Sequence, residues 1–341
     1  MGKATAVEIA ETVSTPFFSI IVPFFRAIDF IALFLASLYV PEAIGLFELI
    51  IVTDYDDPAT KAKLKELASQ YCPVPILCDN RMTKGPFGAR VTGQSIARGK
   101  YWLFADADDI VYGNTLPQLM EFLLKSESDV AFFNVVFGSG EPYKPFSGHC
   151  VDSQQAIFKL LTDCVHAALW NKCIKSSSQA GFNYACTEGL NGIQFGEDFY
   201  HCFLLYQSAR TFTHSDLVVY KHIDNPNGCS HSTHITAEGN KLALDLYYRA
   251  FVETEHMLSM EARRRASYLK LSSIVEMLPQ YGRYPYLEYR QLLKTTLSNP
   301  LYGYLKANSA EKLPTKTRIK SVLARAKPVL LSWLLFRLLS R

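Results

Sequence analysis

The segment of this sequence best suited to chemistry is the acidic cluster Asp106-Ala107-Asp108-Asp109, which follows the apolar run Tyr101 to Ala105. Carboxylates this close repel one another and raise one another's pKa, so they need a cation or hydrogen-bond donors. Oxygen ligands suit Mg²⁺ or Mn²⁺, which complete their coordination with phosphate oxygens and water. The cluster therefore predicts a metal site that also receives a nucleoside diphosphate. Helix capping and simple solvation of a loop are the alternatives.

A second acidic group, Asp54-Tyr55-Asp56-Asp57, stands directly before Pro58. Asp57 suits the N-cap of a helix that begins at Pro58, because its side chain can accept a hydrogen bond from a free backbone N–H. This assignment leaves Asp54 as the better group to accept hydrogen bonds from a base or a ribose.

Two further segments combine charge with a helix start. The segment Lys84 to Arg90 joins flexible glycines to two cations, which favours phosphate binding, although loop geometry alone would explain it. In Gly196-Glu197-Asp198-Phe199 either carboxylate could serve as a general base. The alternative for this pair is that both carboxylates only favour the N-terminus of the following helix.

Histidines give a weaker signal. His222 follows the predicted strand Asp216 to Tyr220 and could reach a metal or a diphosphate, whereas His231 and His234 lie in a polar loop and favour solvation. The sequence contains no Walker loop, no Rossmann glycine triplet and no Ser/His/Asp order.

The elements that would position these groups alternate between strands and helices from residue 17 to about 137. Strands are predicted at Phe17–Val22, Leu46–Val52, Val74–Cys78, Tyr101–Ala105 and Val130–Phe137, and helices at Ala27–Val40, Pro58–Tyr71, Gly88–Ala97 and Thr115–Lys125. This alternation is typical of βαβ units on a parallel sheet, whose ligands bind beyond the carboxyl ends of the strands. After residue 140 the chain is expected to complete the sheet, and Lys241 to about Arg325 is predicted to be helical.

Composition places the chain in the globular class, with 49% hydrophobic and 20% charged residues. Charge is unevenly distributed, because residues 301–341 carry nine Lys or Arg against one Glu. The basic residues of this tail precede the apolar segment Val329 to Phe336, a combination that predicts an interfacial helix on anionic lipid. A helix packed on the body or in a dimer interface is the alternative. The mildly acidic body is not expected to bind nucleic acid.

The remaining features predict a cytoplasmic protein. The eight cysteines include no Cys-x-x-Cys pair, which indicates reduced thiols, and the N-terminus lacks the pattern of a secretion signal. No segment reaches the roughly 18 apolar residues that a membrane span requires. Together with the basic tail, these features predict peripheral attachment to the inner face of the cytoplasmic membrane.

Several of these segments, in this order and spacing, resemble glycosyltransferase family 2, the inverting enzymes of the GT-A fold, and in particular members that build bacterial polysaccharide or lipopolysaccharide. They are Phe18 to Arg26, Glu48 to Asp54, Gly85 to Gly93, Lys100 to Asp109, Trp170-Asn171-Lys172 and Gly196-Glu197-Asp198. The resemblance covers roughly residues 17 to 232. The chain departs from the family pattern where Phe25 replaces Tyr, Arg26 replaces Asn and Thr53 replaces Asp.

The resemblance implies an α/β fold of the GT-A type, Rossmann-like, with a mostly parallel sheet flanked by helices and a C-terminal helical appendage. The expected parts are an N-terminal extension (1–16), a catalytic domain (17–235) and a helical region with a basic amphipathic tail (236–341). The donor half of the catalytic domain would be 17–137 and the acceptor half 138–235. The implied reaction is metal-dependent transfer of a sugar, most simply from a UDP-sugar, to a hydroxyl of a glycan or lipid-linked glycan.

The resemblance also implies roles for individual residues. The donor would contact Pro23, Phe25, Asp54, Arg90 and Asp106. Mn²⁺ or Mg²⁺ would be held by Asp108, with Asp106 and His222 as further ligands. Asp198 would be the general base, with support from Glu197. The acceptor region would include Trp170, Asn171 and Lys172.

Two other classes of protein stay open at this point. A nucleotidyltransferase could share the sheet and the metal site, but it should carry a glycine-rich, basic loop after the first strand, where this chain has Pro23-Phe24-Phe25-Arg26. A non-catalytic carbohydrate-binding or scaffold protein on a GT-A fold should have lost Asp108 or Asp198, and both are present. The oligomeric state is not predicted.

Overall fold

The computed structural model describes residues 15–146, 152–163, 165–187, 196–225, 236–309 and residue 333. The chain divides into two compact units. The first, here called the sheet unit, comprises Met1–Ala156, His166–Gly192 and His201–Gly228. The second, the helical unit, comprises Ile157–Val165, Ile193–Tyr200 and Cys229–Arg341. The predicted division at residues 16/17 and 235/236 stays a prediction.

The strands of the sheet unit are β1 (Phe18–Phe24), β2 (Phe47–Thr53), β3 (Ile76–Asp79), β4 (Tyr101–Phe104), β5 (Ile110–Val111), β6 (Val130–Phe137), β7 (Lys172–Lys175) and β8 (Phe212–His222). They form one sheet in the order β3-β2-β1-β4-β7-β6-β8-β5. Strands β3, β2, β1 and β4 are mutually parallel, whereas β7 runs antiparallel to both of its neighbours. Strand β8 is parallel to β6 and antiparallel to β5. The sheet is therefore parallel in its first half and mixed in its second.

The first strands form because short, apolar runs rich in β-branched and aromatic residues suit a sheet that is covered on both faces. All seven residues of β2 are buried, as are six of the seven in β1. The predicted strand Val130–Phe137 matches β6, and four other strand predictions overlap β1 to β4. The predicted strand Asp216–Tyr220 lies within the longer β8, whose last residue is His222. Strand β5 was not predicted, because two residues are too few to show an alternating pattern.

The helices are α1 (Ile31–Leu38), α2 (Pro58–Ala68), α3 (Pro86–Ile96), α4 (Leu116–Ser126), α5 (Ser153–Leu161), α6 (Glu197–Ser208), α7 (Ala237–Glu253), α8 (Met260–Met277), α9 (Tyr286–Ser298) and α10 (Pro300–Asn308). The predicted N-cap of α2 is confirmed, because the Asp57 carboxylate accepts hydrogen bonds from the backbone N–H and the hydroxyl of Thr60. Helix α1 is shorter than its predicted range Ala27–Val40. Its N-cap, Phe30, has no capping side chain, and Tyr39 leaves the helical conformation.

The helical unit contains helices α7 to α10, which confirms the predicted helical appendage as far as Asn308. Its interior includes a hydrogen-bonded group formed by Asn240, Tyr281 and Thr296. Further buried polar residues are Thr254, Ser267, Lys270 and Asn299. Of residues 310–341, the structure describes Trp333, whose indole N–H donates to the carbonyl oxygen of Tyr284 at 2.9 Å. The rest of the predicted amphipathic tail, like His231 and His234, lies outside the described residues. No helix in the described ranges has the length and hydrophobicity of a membrane span.

Candidate active site

The acidic loop Asp106-Ala107-Asp108-Asp109 begins at the carboxyl end of β4, which is a neighbour of β1 in the parallel part of the sheet. The backbone N–H of Ala105 still donates to Ile21 of β1, at 3.1 Å, so the loop leaves the sheet at Asp106. Asp106 and Asp108 are half-buried, whereas Asp109 is only 1% exposed. Carboxylates in one loop thus occupy two different environments.

Asp109 anchors the loop to β8. One carboxylate oxygen accepts a hydrogen bond from the Tyr220 hydroxyl at 2.6 Å and lies 3.1 Å from Nδ1 of His222. The other accepts from the backbone N–H of Ile223 at 2.7 Å. The Asp109 carboxylate, which accepts a hydrogen bond from the ring, raises the pKa of His222. No role beyond supporting the loop was predicted for Asp109, and these contacts show that it attaches the loop to β8.

Trp170 packs against the two β8 side chains that contact Asp109. Its indole stacks on the ring of Tyr220 at a centroid distance of 5.3 Å and on the imidazole of His222 at 5.7 Å, with interplanar angles of 5° and 7°. Tyr220 and His222 are two residues apart on β8, so they project from the same face of the strand. Trp170 therefore fixes both of the rings that hold Asp109.

The three residues predicted for the acceptor region are all buried. Trp170 is 6% exposed, and Asn171 and Lys172 are 0% exposed. The Lys172 ammonium donates to the backbone carbonyl of Ala168 and lies 3.6 Å from the Cys202 sulfur. These contacts are structural, and the acceptor role of the segment stays a prediction.

Asp106 is oriented by two groups that come from distant parts of the chain. Arg90 of α3, which is 4% exposed, donates from Nη2 to Oδ1 of Asp106 at 3.1 Å. The backbone N–H of Asp106 donates to the Tyr220 hydroxyl at 2.9 Å, and that hydroxyl in turn donates to Asp109. A buried guanidinium beside this carboxylate is a fixed positive charge at the end of β4. The structure thus brings together the predicted donor-binding residues Arg90 and Asp106.

Asp108 is the acidic residue of the loop that could best hold a metal ion. Its Oδ2 accepts a hydrogen bond from the Asn225 side chain at 2.8 Å, and the side chain is half-exposed. No three His, Cys, Asp or Glu side chains of the described ranges are grouped so that they could hold a metal. Carboxylate oxygens in small number fit Mg²⁺ or Mn²⁺ when phosphate oxygens complete the coordination. His222 uses Nδ1 on Asp109, so a metal-ligand role for this residue, which stays a prediction, would fall to Nε2.

The loop after β2 uses its carboxylates differently. Asp54 is 5% exposed, and its two oxygens accept from the Asn80 side chain at 2.7 Å and from the backbone N–H of Gly85 at 2.9 Å. Gly85 has a φ of +120°, which only glycine adopts without strain. Asp54 therefore shapes the turn that leads into α3, and its predicted contact with a base stays a prediction.

An exposed aromatic and cationic group lies beside these two loops. Phe25 is 42% exposed and Tyr55 is 63% exposed, and the ammonium of Lys84 lies 5.7 Å and 5.3 Å from their respective ring centroids. Pro23, the other residue predicted to flank the base, is half-buried in β1. The sequence prediction missed Tyr55, and it linked Lys84 to phosphate binding rather than to these aromatic rings. The available signal was an aromatic residue placed between acidic residues at a strand end.

The predicted base Asp198 and its neighbour Glu197 occupy the first turn of α6. Both are half-buried, and both belong to the helical unit, whereas the acidic loop belongs to the sheet unit. The preceding Gly196 has a φ of +84°, which sets the direction in which the helix starts. The base role of Asp198 stays a prediction.

A family model described as glycosyl transferase family 2 matches residues 19–185. The chain is 33% identical over 121 residues to the uncharacterized glycosyltransferase YibD of Escherichia coli, a match that covers 36% of this chain and 34% of YibD. It is 25% identical over 169 residues to the minor teichoic acid biosynthesis protein GgaB of Bacillus subtilis, covering 47% of this chain and 19% of GgaB. The matches thus span about a third of YibD and about a fifth of GgaB.

Among solved structures, S. aureus TarS 1-349 in complex with UDP-GlcNAc superposes with a TM-score of 0.67 at 17% sequence identity. The superposition covers 93% of this chain and 89% of that chain. This similarity confirms the predicted fold, a GT-A arrangement of a mostly parallel sheet flanked by helices with helices at the C-terminal end. A second crystal structure of TarS 1-349 gives a TM-score of 0.63 at 18% identity.

Proposed function

Because residues 19–185 belong to glycosyl transferase family 2, we propose that this chain is a glycosyltransferase that uses a nucleotide-sugar donor and acts in cell-surface glycan synthesis. The observation that carries the proposal is the acidic loop at the end of β4. Asp106 and Asp108 keep part of their surface exposed, while the buried Asp109 holds the loop in place. Two partly exposed carboxylates beside the buried cation of Arg90 suit the charge pattern of a metal-bound diphosphate.

A UDP-sugar is the donor that the surroundings of this loop favour. The exposed ring of Phe25 offers a face for base stacking beside Pro23, and Tyr55 and Lys84 lie at the same rim. Arg90 would contact the nucleotide and Asp54 the base. The crystal structure of TarS 1-349 contains UDP-GlcNAc. We extend the uridine nucleotide, but not the sugar, to this chain.

Mn²⁺ or Mg²⁺ would be held by Asp108, with Asp106 and Nε2 of His222 as further candidates. Bound there with the diphosphate, the metal ion would neutralise the charge that develops on the leaving group. Asn225 and Asp109 would orient these ligands, since they contact Asp108 and His222 respectively.

Transfer would proceed in one step with inversion. The carboxylate of Asp198 takes the proton of the acceptor hydroxyl while the oxygen of that hydroxyl bonds to the anomeric carbon. The bond between the anomeric carbon and the diphosphate oxygen breaks, and its electron pair leaves with the diphosphate. Glu197 supports Asp198 from the same turn of α6. A general base placed in this way contributes roughly 10²- to 10⁴-fold in rate.

The acceptor is proposed to be a hydroxyl of a glycan or a lipid-linked glycan, as in the assembly of surface polysaccharide, lipopolysaccharide or wall polymers. The similarity to GgaB, a protein named for teichoic acid biosynthesis, supports a cell-surface product. Reaction at the inner face of the cytoplasmic membrane, with the basic tail on anionic lipid, is part of the same proposal. The contact of Trp333 with Tyr284 and its ring contact with Tyr286 favour the alternative, in which the tail packs on the helical unit.

A screen of nucleotide sugars tests the proposal. The full chain is incubated with UDP-, GDP- and dTDP-sugars and Mn²⁺ or Mg²⁺, and release of nucleoside diphosphate is measured with and without glycan acceptors. We expect turnover of a UDP-sugar that stops when EDTA is added. The Asp198→Asn variant should lose transfer while it retains UDP binding. Normal turnover by that variant would show that Asp198 is not the general base.

Two other outcomes would favour the alternative classes. Release of pyrophosphate from nucleoside triphosphates would favour a nucleotidyltransferase. Binding of glycans without any turnover would favour a scaffold protein.

A further inference from the structure

The turn that carries Glu197 and Asp198 is part of the helical unit and packs on its helix α7. Gly196 precedes the pair with a φ of +84°, and a Cβ added to it would lie 3.4 Å from the Cβ of Ala243 on α7. The backbone N–H of Tyr200 donates to the Gly196 carbonyl at 3.0 Å and so closes the first turn of α6. The two carboxylates therefore start from a backbone that lies directly on α7.

The next residue, Phe199, continues this contact. Its ring is 2% exposed and stacks on the ring of Tyr247 of α7, with a centroid distance of 3.9 Å and an interplanar angle of 29°. Since Phe199 directly follows Asp198, the position of this ring fixes the backbone beside the predicted base. Stacked aromatic pairs add to stability beyond the area that they bury.

A buried cation completes the arrangement. The ammonium of Lys270, on α8, lies 3.7 Å from the Tyr247 ring centroid and 5.9 Å from that of Phe199. The same ammonium donates to both oxygens of Asp163 at 3.1 Å and 3.0 Å, and Lys270 is 6% exposed. A desolvated cation over an aromatic face is held more strongly than an exposed one. Phe199, Tyr247 and Lys270 thus form a continuous column, here called the Lys270 column.

The charges around the column also connect it to the predicted catalytic pair. Burial raises the pKa of Tyr247, the Lys270 ammonium opposes this rise, and the carboxylates of Asp163 and Glu197 add to it. Glu197 is therefore within electrostatic reach of the Tyr247 ring. These four residues and Phe199 belong to the helical unit, and Tyr247 and Lys270 lie outside the residues that match the family model.

We propose that Tyr247 and Lys270 are positioning residues for sugar transfer, which act by fixing the first turn of α6 and with it Asp198. This inference rests on the proposed function, because it takes Asp198 as the base. It assigns to helices α7 and α8 a part in the chemical step, although neither residue needs to touch the donor or the acceptor. Small misplacements of a reacting group cost large factors in rate, about 100-fold for 1 Å.

The test separates catalysis from donor binding. Lys270→Met retains most of the side-chain volume but removes the cation, and Tyr247→Leu removes the ring. Each is expected to lower kcat about tenfold, while the KM for the donor and the affinity for UDP stay within about twofold of wild type. Lys270→Arg and Tyr247→Phe, which keep the cation and the ring, should restore most of the lost kcat. Lys294→Met, an exposed change on α9, is the matched control.

Each outcome decides the inference. If wild type turns over a donor and Asp198→Asn does not, but Lys270→Met and Tyr247→Leu retain normal kcat, the inference fails while the proposed function stands. If kcat, UDP affinity and the midpoint of thermal unfolding fall together, and the conservative variants fall equally, the column is only structural and the inference also fails. If Lys270→Met does not fold, the Tyr247 pair and Lys270→Arg still give the comparison. An inactive wild type would remove the proposed function and this inference with it.

Discussion

The loops after β2 and β4 are similar in sequence, but their aspartates differ in hydrogen bonding and in exposure. Each carries three aspartates within four residues, and each follows a strand in the parallel part of the sheet. After β2, the protein itself supplies donors to all three, from Asn80 and Gly85 to Asp54, from the Arg26 backbone to Asp56 and from Thr60 to Asp57. After β4, Asp109 is enclosed by its donors, whereas Asp106 and Asp108, which accept from Arg90 and Asn225, keep part of their surface exposed.

The difference teaches that a cluster of carboxylates after a strand does not by itself identify a metal site. What matters is how many donors the fold supplies to each oxygen. A carboxylate that already accepts hydrogen bonds from buried donors gains little from a cation, whereas a half-exposed one next to another charge gains much. On this criterion Asp108 is the better ligand candidate, whereas both oxygens of Asp54 already accept hydrogen bonds from the protein.

The largest expected effect belongs to Asp108. We expect Asp108→Asn to lower the rate of transfer roughly 10²- to 10³-fold, because a ligand that balances charge on the leaving group is lost. The free energy of unfolding should stay close to that of wild type, since the side chain is half-exposed. Steady-state kinetics over a range of Mn²⁺ concentrations measures the loss. Asp57→Asn, which keeps a good N-cap, is the matched change in the other loop, and a similar loss there would break the comparison.

A change at Asp109 should mainly lower the free energy of unfolding, whereas a change at Asp108 should mainly lower the rate of transfer. Asp109→Asn replaces one acceptor oxygen of a buried carboxylate, which faces three donors, by an NH₂ group, so we expect a loss of about 3 kcal/mol in the free energy of unfolding. Urea denaturation gives this value. Tyr220→Phe, which removes one of the three donors, should cost less. A loss under about 1 kcal/mol would mean that Asp109 does not anchor the loop.

A change at Asp54 should have the next smaller effect, and its result distinguishes a role in shaping the turn from a role in binding the base. If it shapes the turn at Gly85, Asp54→Asn should lower the free energy of unfolding by about 1–3 kcal/mol and weaken UDP binding only through the displaced turn. If it contacts the base, UDP affinity should fall sharply at unchanged stability. Denaturation and calorimetric titration with UDP, run on the same preparation, separate the two results.

Asp57 gives the smallest effect, and that effect depends on pH. Hydrogen bonds from the Thr60 hydroxyl and backbone lower the pKa of Asp57 below its ordinary value of 3.8. A lowered folded-state pKa contributes stability above the unfolded value, which is lost as the pH falls through the folded-state pKa. Asp57→Ala should therefore lower the midpoint of thermal unfolding slightly at pH 7, and the difference from wild type should shrink below pH 3.8. A difference that stays constant with pH would contradict the charged cap.

Local pattern was sufficient for the parts of the molecule that depend on local physics. The strand Val130–Phe137, the cap at Asp57 and the helices after residue 240 follow from composition, periodicity and capping chemistry. The placement of Asp106 and Asp108 at a strand end followed in the same way.

The rest depends on partners that are distant in sequence. Tyr220 lies 111 residues from Asp109, and no spacing rule indicates that its hydroxyl meets that carboxylate. Trp170 was assigned to the acceptor region by its motif, and only the fold shows that it lies beneath β8. Strand β5 is too short to detect from the sequence, although it directly follows the acidic loop and pairs with β8. Such contacts arise from tertiary packing, which a single sequence does not encode in any local pattern.

The stacking of Trp170 also gives the molecule an intrinsic optical reporter. The chain has three tryptophans, of which Trp170 stacks nearly parallel to a phenol and an imidazole that both contact Asp109. A protonated imidazole in such close contact quenches excited indole, so we expect the emission intensity of Trp170 to depend on the charge and distance of His222. A ligand that draws His222 away from the indole would brighten the fluorescence, and occupancy of the acidic loop could be followed in real time without a label.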